Sequence, residues 1–262
     1  MIKISHETPK CLLSHSINFN DFQYALPHLL ESDEEYRNHF LKCKQNNIEI
    51  YLDNSLHELG YSIDDDILFK WIEILEPSTF FVPDVWENTG ETLENAKKWI
   101  YYKNKFPKTT LTPVIQAKSL KDIVYSYCKY KKYGYDKIAF SYGNSIYEDQ
   151  FQYSNKSLVK AFGRAKIISY LYNENIIKEK DRIHLLGTAN PIEFKILKYF
   201  SFIESIDTSN PIMATIDRTL YDDLYEMEKP IANMNNSFDI DIKHIDMGIL
   251  HDNIRIFRDL LR

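Results

Sequence analysis

Six short apolar runs, each ending on a polar residue or a glycine, constrain this chain more than any other feature. They read Ile-Glu-Ile-Tyr-Leu-Asp53, Phe-Phe-Val-Pro-Asp84, Leu-Thr-Pro-Val-Ile-Gln116, Ile-Ala-Phe-Ser-Tyr-Gly143, Ile-His-Leu-Leu-Gly187 and Phe-Ile-Glu-Ser-Ile-Asp207. A strand whose sheet is covered by helices on both faces is buried on both sides, so its sequence becomes continuously apolar instead of alternating. Helical stretches separate most of the runs, and strand–helix alternation with short connections indicates a parallel sheet. The expected fold class is α/β: a single (β/α)8 TIM-like barrel over residues 1–262, with an open doubly wound sheet as the alternative. The length of 262 residues suits it, since such barrels take roughly 250. A seventh strand is expected around Lys10–Ser16 and an eighth around Pro211–Ile216.

The helices between these runs have recognisable ends. Glu34–Asn46 is charged and amphipathic, and Asp64–Leu75 opens on three aspartates that suit a positive helix N-terminus. A helix from about Glu91 to Tyr102 is capped by Thr89 or Thr92. Another runs from the N-cap Ser119 to about Lys132 and stops at Gly134. Ser157–Tyr172 is the next long helix, and Asn190-Pro191 starts a short one. Beyond Leu220 the pattern is less regular, with a loop at Met234-Asn235-Asn236 and a final helix within Ile245–Leu261.

Composition narrows the setting. With 44% hydrophobic and 14% aromatic residues the chain can bury a sizeable core. No stretch approaches the roughly 20 apolar residues of a membrane span, and the N-terminus has no apolar signal core. A cytoplasmic protein is expected. Cys11, Cys43 and Cys128 are widely spaced and read as reduced, mostly buried thiols. A net charge of −6 gives no general attraction to nucleic acid, yet lysines at 103, 105, 108, 118 and 121 are interleaved with tyrosines. They are either solvated helix surface or a phosphate track.

Several chemistries have no motif here. The seven glycines form neither GxGxxG nor GxxxxGK. There is no HExxH and no GxSxG, and His244 and His251 have no cysteines nearby, so no metal and no cofactor is expected. What remains is a carboxylate site, because barrel active sites gather at the C-terminal ends of the strands. Asp53 and Asp207 suit displacement at an anomeric carbon, one attacking C1′ and the other managing protons. The alternative is that each caps a turn. Asp84 and Gln116 have the donors and acceptors for a guanine-like edge. Gly143 would let a backbone amide approach a flat ligand, and Tyr142 either stacks on that ligand or packs.

Taken together, Leu-Asp53-Asn-Ser, Pro83-Asp84-Val, Val-Ile-Gln116, Ser-Tyr-Gly143, the run from His184 through Gly187 to Pro191, and Ser-Ile-Asp207-Thr-Ser-Asn-Pro211 resemble the tRNA-guanine transglycosylase superfamily. The chain is most similar to its short DpdA-type branch, which places 7-deazaguanine bases in DNA and often occurs in phages. The resemblance covers about residues 48–215. It implies that Asp207 is the nucleophile and Asp53 the general base, and that Asp84, Gln116, Gly143 and Gly187 surround the heterocycle. The partners it implies are DNA, with a flipped or single-stranded guanosine, and a free 7-deazaguanine. A homodimer or an accessory DNA-binding protein is a further expectation, and a phage-encoded protein would work in the host cytoplasm.

Three departures stand out. Asn54-Ser55-Leu56 replaces the Ser-Gly-Gly that follows the family's aspartate, Tyr142 replaces a glycine, and the CxCxxC…His zinc cluster of the tRNA enzymes is missing. The last favours DNA over tRNA. The alternatives are a base-exchange or glycosidic-bond enzyme acting on tRNA or nucleotides, or a non-catalytic nucleic-acid-binding barrel. Replacing Lys118 and Lys121 together is expected to weaken DNA binding and flatten its salt dependence. Unchanged binding across a salt titration would remove both from the interface.

Overall fold

The computed structural model describes residues 2–188, 190–221 and 237–262; the expected Met234-Asn235-Asn236 loop lies outside them. All six apolar runs form strands. In chain order the strands are β1 (Lys3–His6), β2 (Gln23–Ala25), β3 (Ile50–Leu52), β4 (Thr79–Phe81), β5 (Thr110–Thr112), β6 (Val114–Ile115), β7 (Lys137–Ser141), β8 (Arg182–Leu186) and β9 (Ile203–Thr208). Every pairing is parallel. They make two sheets, β2-β3-β4-β5 and β1-β9-β8-β7-β6, and among the described residues the ladders do not close into a barrel.

The break between β5 and β6 falls at Pro113, which has no N–H to give to a ladder. Its carbonyl still accepts from the Ala139 N–H at 2.9 Å. The other meeting point lies just before β2. There the Asp21 N–H donates to the Ile4 carbonyl at 2.8 Å, and the Asp21 carboxylate accepts from the Ile4 N–H at 2.8 Å.

Both sheets share one interior. Phe22 stacks on Tyr51 at 3.8 Å between centroids, and the His184 ring from the other sheet lies 4.6 Å from Phe81 and 5.9 Å from Tyr51. Lys137 of β7 is fully buried, and its ammonium donates to the Tyr51 hydroxyl at 3.1 Å, the Thr79 hydroxyl at 3.4 Å and the Glu204 carboxylate at 3.0 Å. Burial lowers its pKa to about 8 despite Glu204. This one ammonium ties β3 and β4 of the first sheet to β7 and β9 of the second.

Two strand expectations are corrected. Lys10–Ser16 is helical, with a 3-10 turn at Lys10–Leu12 followed by the helix Leu13–Ser16. Pro211–Ile216 lies in the helix Asn210–Ile216, where proline occupies the first turn and its missing N–H costs nothing. The strands that exist in their place are β1 and β2, of four and three residues.

The long helices are Glu34–Gln45, Asp65–Leu75, Thr89–Trp99, Leu120–Tyr133, Lys156–Asn173 and Met247–Leu260. Ser119 caps as expected, Asp64 stands just before its helix as the cap, and Gly134 ends its helix at φ 94°. The cap of Thr89–Trp99 is Asn88, whose side chain accepts from the Glu91 N–H. The two threonines are used elsewhere, Thr89 on the Gln116 carbonyl and Thr92 on Val85. Of the three cysteines, all free, only Cys43 is buried; Cys128 is exposed and Cys11 intermediate. No described helix is long and apolar enough to cross a membrane.

Helix Lys156–Asn173 reaches the end of the second sheet through Arg164. The fully buried guanidinium donates to both Glu193 oxygens, at 2.6 and 3.0 Å, and to the carbonyls of Leu186 at 3.1 Å and Gly187 at 2.8 Å. The neighbouring Gly163 lets the same helix press against the 3-10 turn Ser145–Gln150, since a Cβ there would sit 2.0 Å from the Tyr147 carbonyl oxygen. Overpacking of this kind costs about 1–3 kcal/mol, and a backbone atom cannot move aside like a side chain. Gly163→Ala is therefore expected to lower the urea midpoint by the upper part of that range. A midpoint equal to wild type would show that the helix can slide away from Tyr147.

Candidate active site

Parallel strands present their C-terminal ends on one side, and the polar residues that end the apolar runs meet there. Asp53, Asp84, Gln116, Tyr142, Gly143, Gly187 and Asp207 all line one cavity of about 820 Å³, within the range of small-molecule sites.

Asp207 owes its setting to strand register. β8 pairs with β9 so that His184 lies opposite Ser205, with a register shift just before it. Side chains alternate along a strand, so His184, Ser205 and Asp207 share the interior face. The His184 Nε2 lies 2.7 Å from Asp207 Oδ1, and its Nδ1 lies 2.8 Å from the Ser205 hydroxyl. Burial pushes the His184 pKa well below its usual value, so the ring is neutral. A carboxylate partner assigns the proton to Nε2, leaving Nδ1 to accept from Ser205. The Gly187 N–H donates to the other Asp207 oxygen at 3.2 Å. Gly187 adopts φ 68°, with the Tyr142 Cβ only 3.3 Å from where its own Cβ would be. Burial raises the Asp207 pKa to about 7 even against the Gly187 N–H and the Arg164 charge.

Asp53 is held in the same way by local groups. Its oxygens accept from the Tyr24 hydroxyl at 2.9 Å and the Ser55 N–H at 2.9 Å. Ser55 adopts a left-handed backbone at φ 65°, and its buried hydroxyl lies 2.8 Å from His28 Nδ1. That conformation costs a non-glycine residue roughly 1–2 kcal/mol, offset here by two side-chain contacts. Burial raises the Asp53 pKa as well.

Asp84 and Gln116 are brought together, and they are bonded to each other. The Gln116 amide donates to Asp84 Oδ2 at 2.7 Å, and the Asn54 amide donates to Oδ1 at 2.8 Å. Burial outweighs both donors and raises the Asp84 pKa to about 7. The result is a hydrogen-bonded wall of carboxyl and amide groups on one side of the cavity.

The structure adds detail at four of the expected residues. Gly143 does face the cavity, but the space beside its Cα is filled by the Trp86 indole, 2.5 Å from where a Cβ would be. Tyr142 lines the cavity with its Cβ against Gly187 and with Lys160 and Arg164 lying 5.1 and 5.6 Å from its ring centroid. Lys118 and Lys121 are exposed and do not line the cavity; Lys160 does, paired with Glu148 at 3.0 Å.

The sequence reading gave no site role to Glu7, Tyr24, His28, Asn54, Glu58, Trp86 or His184, all of which line the cavity or bond to its aspartates. His184 had a signal, being the one polar residue inside its own run, Ile-His-Leu-Leu-Gly187. Glu7 became legible only with β1, which it follows. Glu7 and Glu58 add two carboxyls to Asp53 and Asp207, and burial with mutual repulsion raises Glu58 to about 8 and Glu7 well above its usual value. Among the described residues no group of three or more His, Cys, Asp or Glu side chains is arranged to hold a metal ion. No protein-family model and no curated protein matches the chain.

These carboxyls make stability depend on pH. An exposed Asp titrates near 3.9, whereas Asp84 and Asp207 do so at about 7 and Glu58 at about 8. Between those values the folded chain binds more protons than the unfolded one, so stability falls as pH rises. Buried His6, lowered to about 3, and His184 act in the opposite sense below about pH 6.5. The carboxyls outnumber the opposing groups between about pH 6.5 and 8, where His28 and His39 add to the histidine effect at the lower end and Lys137, lowered to about 8, opposes at the upper end. Urea midpoints at those two pH values are expected to be lower at the higher one; a flat profile would mean that the carboxyls titrate normally.

Proposed function

We propose that this chain is a guanine transglycosylase, exchanging guanine in DNA for a 7-deazaguanine through a covalent aspartyl-glycosyl intermediate. One observation carries the reading most: the Asp207 carboxylate, aimed by His184 and Gly187, opens into the same cavity as Asp53 and the Asp84–Gln116 wall. The backbone at Ser55 adds support. It is left-handed at the position where the resembled family has its first glycine after the aspartate and serine.

The proposal includes the barrel. The strand order of the two sheets, joined in the chain at Pro113 and bridged by Asp21 and Ile4, is what a single ring of eight parallel strands interrupted at two points would give. Their shared interior supports it, because Lys137 spans from one sheet to the other.

In the first half-reaction an Asp207 oxygen attacks C1′ of a guanosine, and the bond to the base breaks with its electron pair leaving on guanine. Splitting the exchange at a glycosyl ester replaces one hard displacement with two easier ones. In the second half the 7-deazaguanine loses its N9 proton to Asp53, attacks C1′ and releases Asp207. Two inversions preserve the β-configuration. Burial raises the pKa of Asp53, which brings a general base nearer to working pH. Asp84 and Gln116 read the heterocycle edge. A base inside a duplex is out of reach of such a cavity, so the nucleotide is flipped out or single-stranded.

The test is base exchange. The protein is incubated with duplex or single-stranded DNA, or with tRNA, together with 7-cyano- or 7-aminomethyl-7-deazaguanine, and nucleosides are then analysed by mass spectrometry. Deazaguanosine is expected in DNA, and Asp207→Asn is expected to reduce it at least about a thousandfold while remaining folded. Exchange confined to tRNA would move the substrate assignment. No exchange in any polymer, or full activity in Asp207→Asn, would overturn the mechanism.

A further inference from the structure

Trp86 has no part in this scheme, yet it stands at the mouth of the cavity. It lines the cavity and is 43% exposed, whereas Trp71 and Trp99 are 2% and 1% exposed. Leaving that much indole in water forgoes burial energy. The backbone on both sides of it is nevertheless fixed. The Val85 N–H donates to the Thr92 hydroxyl at 3.0 Å and the Glu87 N–H to the Gln116 side-chain oxygen at 3.2 Å, while the Glu87 carboxylate accepts from the Ser145 N–H at 2.6 Å. The indole rests on Gly143, where only the absence of a side chain admits it, and the His57 ring flanks it with 6.1 Å between centroids. An aromatic face held in this way is ordered before any ligand arrives, so stacking on it costs little conformational entropy.

Beyond Gly143 the same rim becomes cationic. Lys160 is the only lysine or arginine among the described residues that line the cavity. Its ammonium lies 5.1 Å from the ring centroid of Tyr142, the residue next to Gly143, and pairs with Glu148 at 3.0 Å. The Glu148 side chain is 39% exposed, and a pair open to water to that extent is weak enough to be exchanged for another anion. Against its burial, hydrogen bonds from Ser145 and the charges of Lys118 and Lys160 hold the Glu87 carboxyl below its usual range, so both ammonium groups bear on the turn that carries Trp86. Deeper in the cavity Asp53, Glu58 and Asp207 repel phosphate, which leaves the rim as the favourable place for a phosphodiester backbone.

A fixed aromatic face beside a cation is the combination that binds single strands, one base stacking while a neighbouring phosphate meets the charge. Trp86 and Lys160 lie against the adjacent residues Gly143 and Tyr142, so one strand reaches both. We propose, resting on the transglycosylase reading for the kind of polymer, that this rim holds the unpaired DNA strand beside the target. The base next to the extruded guanosine stacks on Trp86, and a phosphate takes the place of Glu148 on Lys160.

The test uses oligothymidylate, which has no guanine and so engages the rim without base exchange. Binding is followed by tryptophan fluorescence and by affinity across a salt series. The oligonucleotide is expected to quench wild-type fluorescence and to leave Trp86→Phe unquenched, because Trp71 and Trp99 are buried. Trp86→Leu is expected to bind about 5–100-fold more weakly, and Trp86→Phe, which keeps an aromatic face, to bind closer to wild type. Unchanged binding in Trp86→Leu, equal losses in the two variants, or no quenching of wild type would overturn stacking on Trp86. Lys160→Gln is expected to flatten the slope of log affinity against log salt by about 0.7. Glu148→Gln frees the lysine and is expected to bind at least as tightly as wild type. Matching losses in Lys160→Gln and Glu148→Gln would reduce the lysine to a structural partner of Glu148 and overturn its role. Base exchange is scored separately on guanine-containing DNA. Strand binding without exchange would overturn only the transglycosylase reading, and exchange with none of these losses would overturn only the rim.

Discussion

The fully buried Arg164–Glu193 pair is the contact on which the geometry of the site depends. Removing both charges from water is costly, and the cost is met only because the guanidinium is completely used, on two carboxylate oxygens and on backbone carbonyls at the ends of β7 and β8. Those carbonyls belong to Phe140, Leu186 and Gly187. Gly187 in turn turns its N–H towards Asp207, so one side chain on a helix fixes the backbone that orients the candidate nucleophile. Breaking such a pair leaves an uncompensated charge in the core and typically costs about 3–5 kcal/mol. Gly163, on the same helix, allows its close approach to the 3-10 turn Ser145–Gln150.

The cavity inverts the usual economy of a protein interior. Asp53, Glu58, Asp207 and Glu7 crowd together; burial raises the pKa of every one, and repulsion from neighbouring carboxyls adds to it for Asp53, Glu58 and Glu7. A fold selected only for stability would avoid this, since each added negative charge raises the free energy of the others. Carboxyls that exchange protons near neutral pH are nevertheless what proton transfer needs. Local strain has the same character: Ser55 holds a left-handed backbone beside Asp53 where glycine would be relaxed.

How much of this was legible follows from the range of the forces involved. Strands with two buried faces declared themselves through continuous apolar runs, which is why β3, β4, β7, β8 and β9 were found close to their observed limits. The Thr110–Gln116 run was found too, but as one strand, because nothing local says that Pro113 would divide it into β5 and β6. β1 and β2 were missed, being three or four residues long and stabilised by neighbours distant in sequence. The segments taken in their place are helical, Asn210–Ile216 visibly so once its early proline is weighed as a helix start.

The sequence by itself determined the α/β character and the polar residues that end the strands, because burial of both sheet faces and short connections leave few other patterns. Asp53, Asp84, Gln116 and Asp207 followed from strand direction alone. Only the tertiary structure decided that His184 aims Asp207, that Trp86 fills the space at Gly143, and that Glu7 and Glu58 join the aspartates. These depend on register between strands far apart in the chain and on desolvation within a shared cavity, neither of which is encoded in a local window of residues.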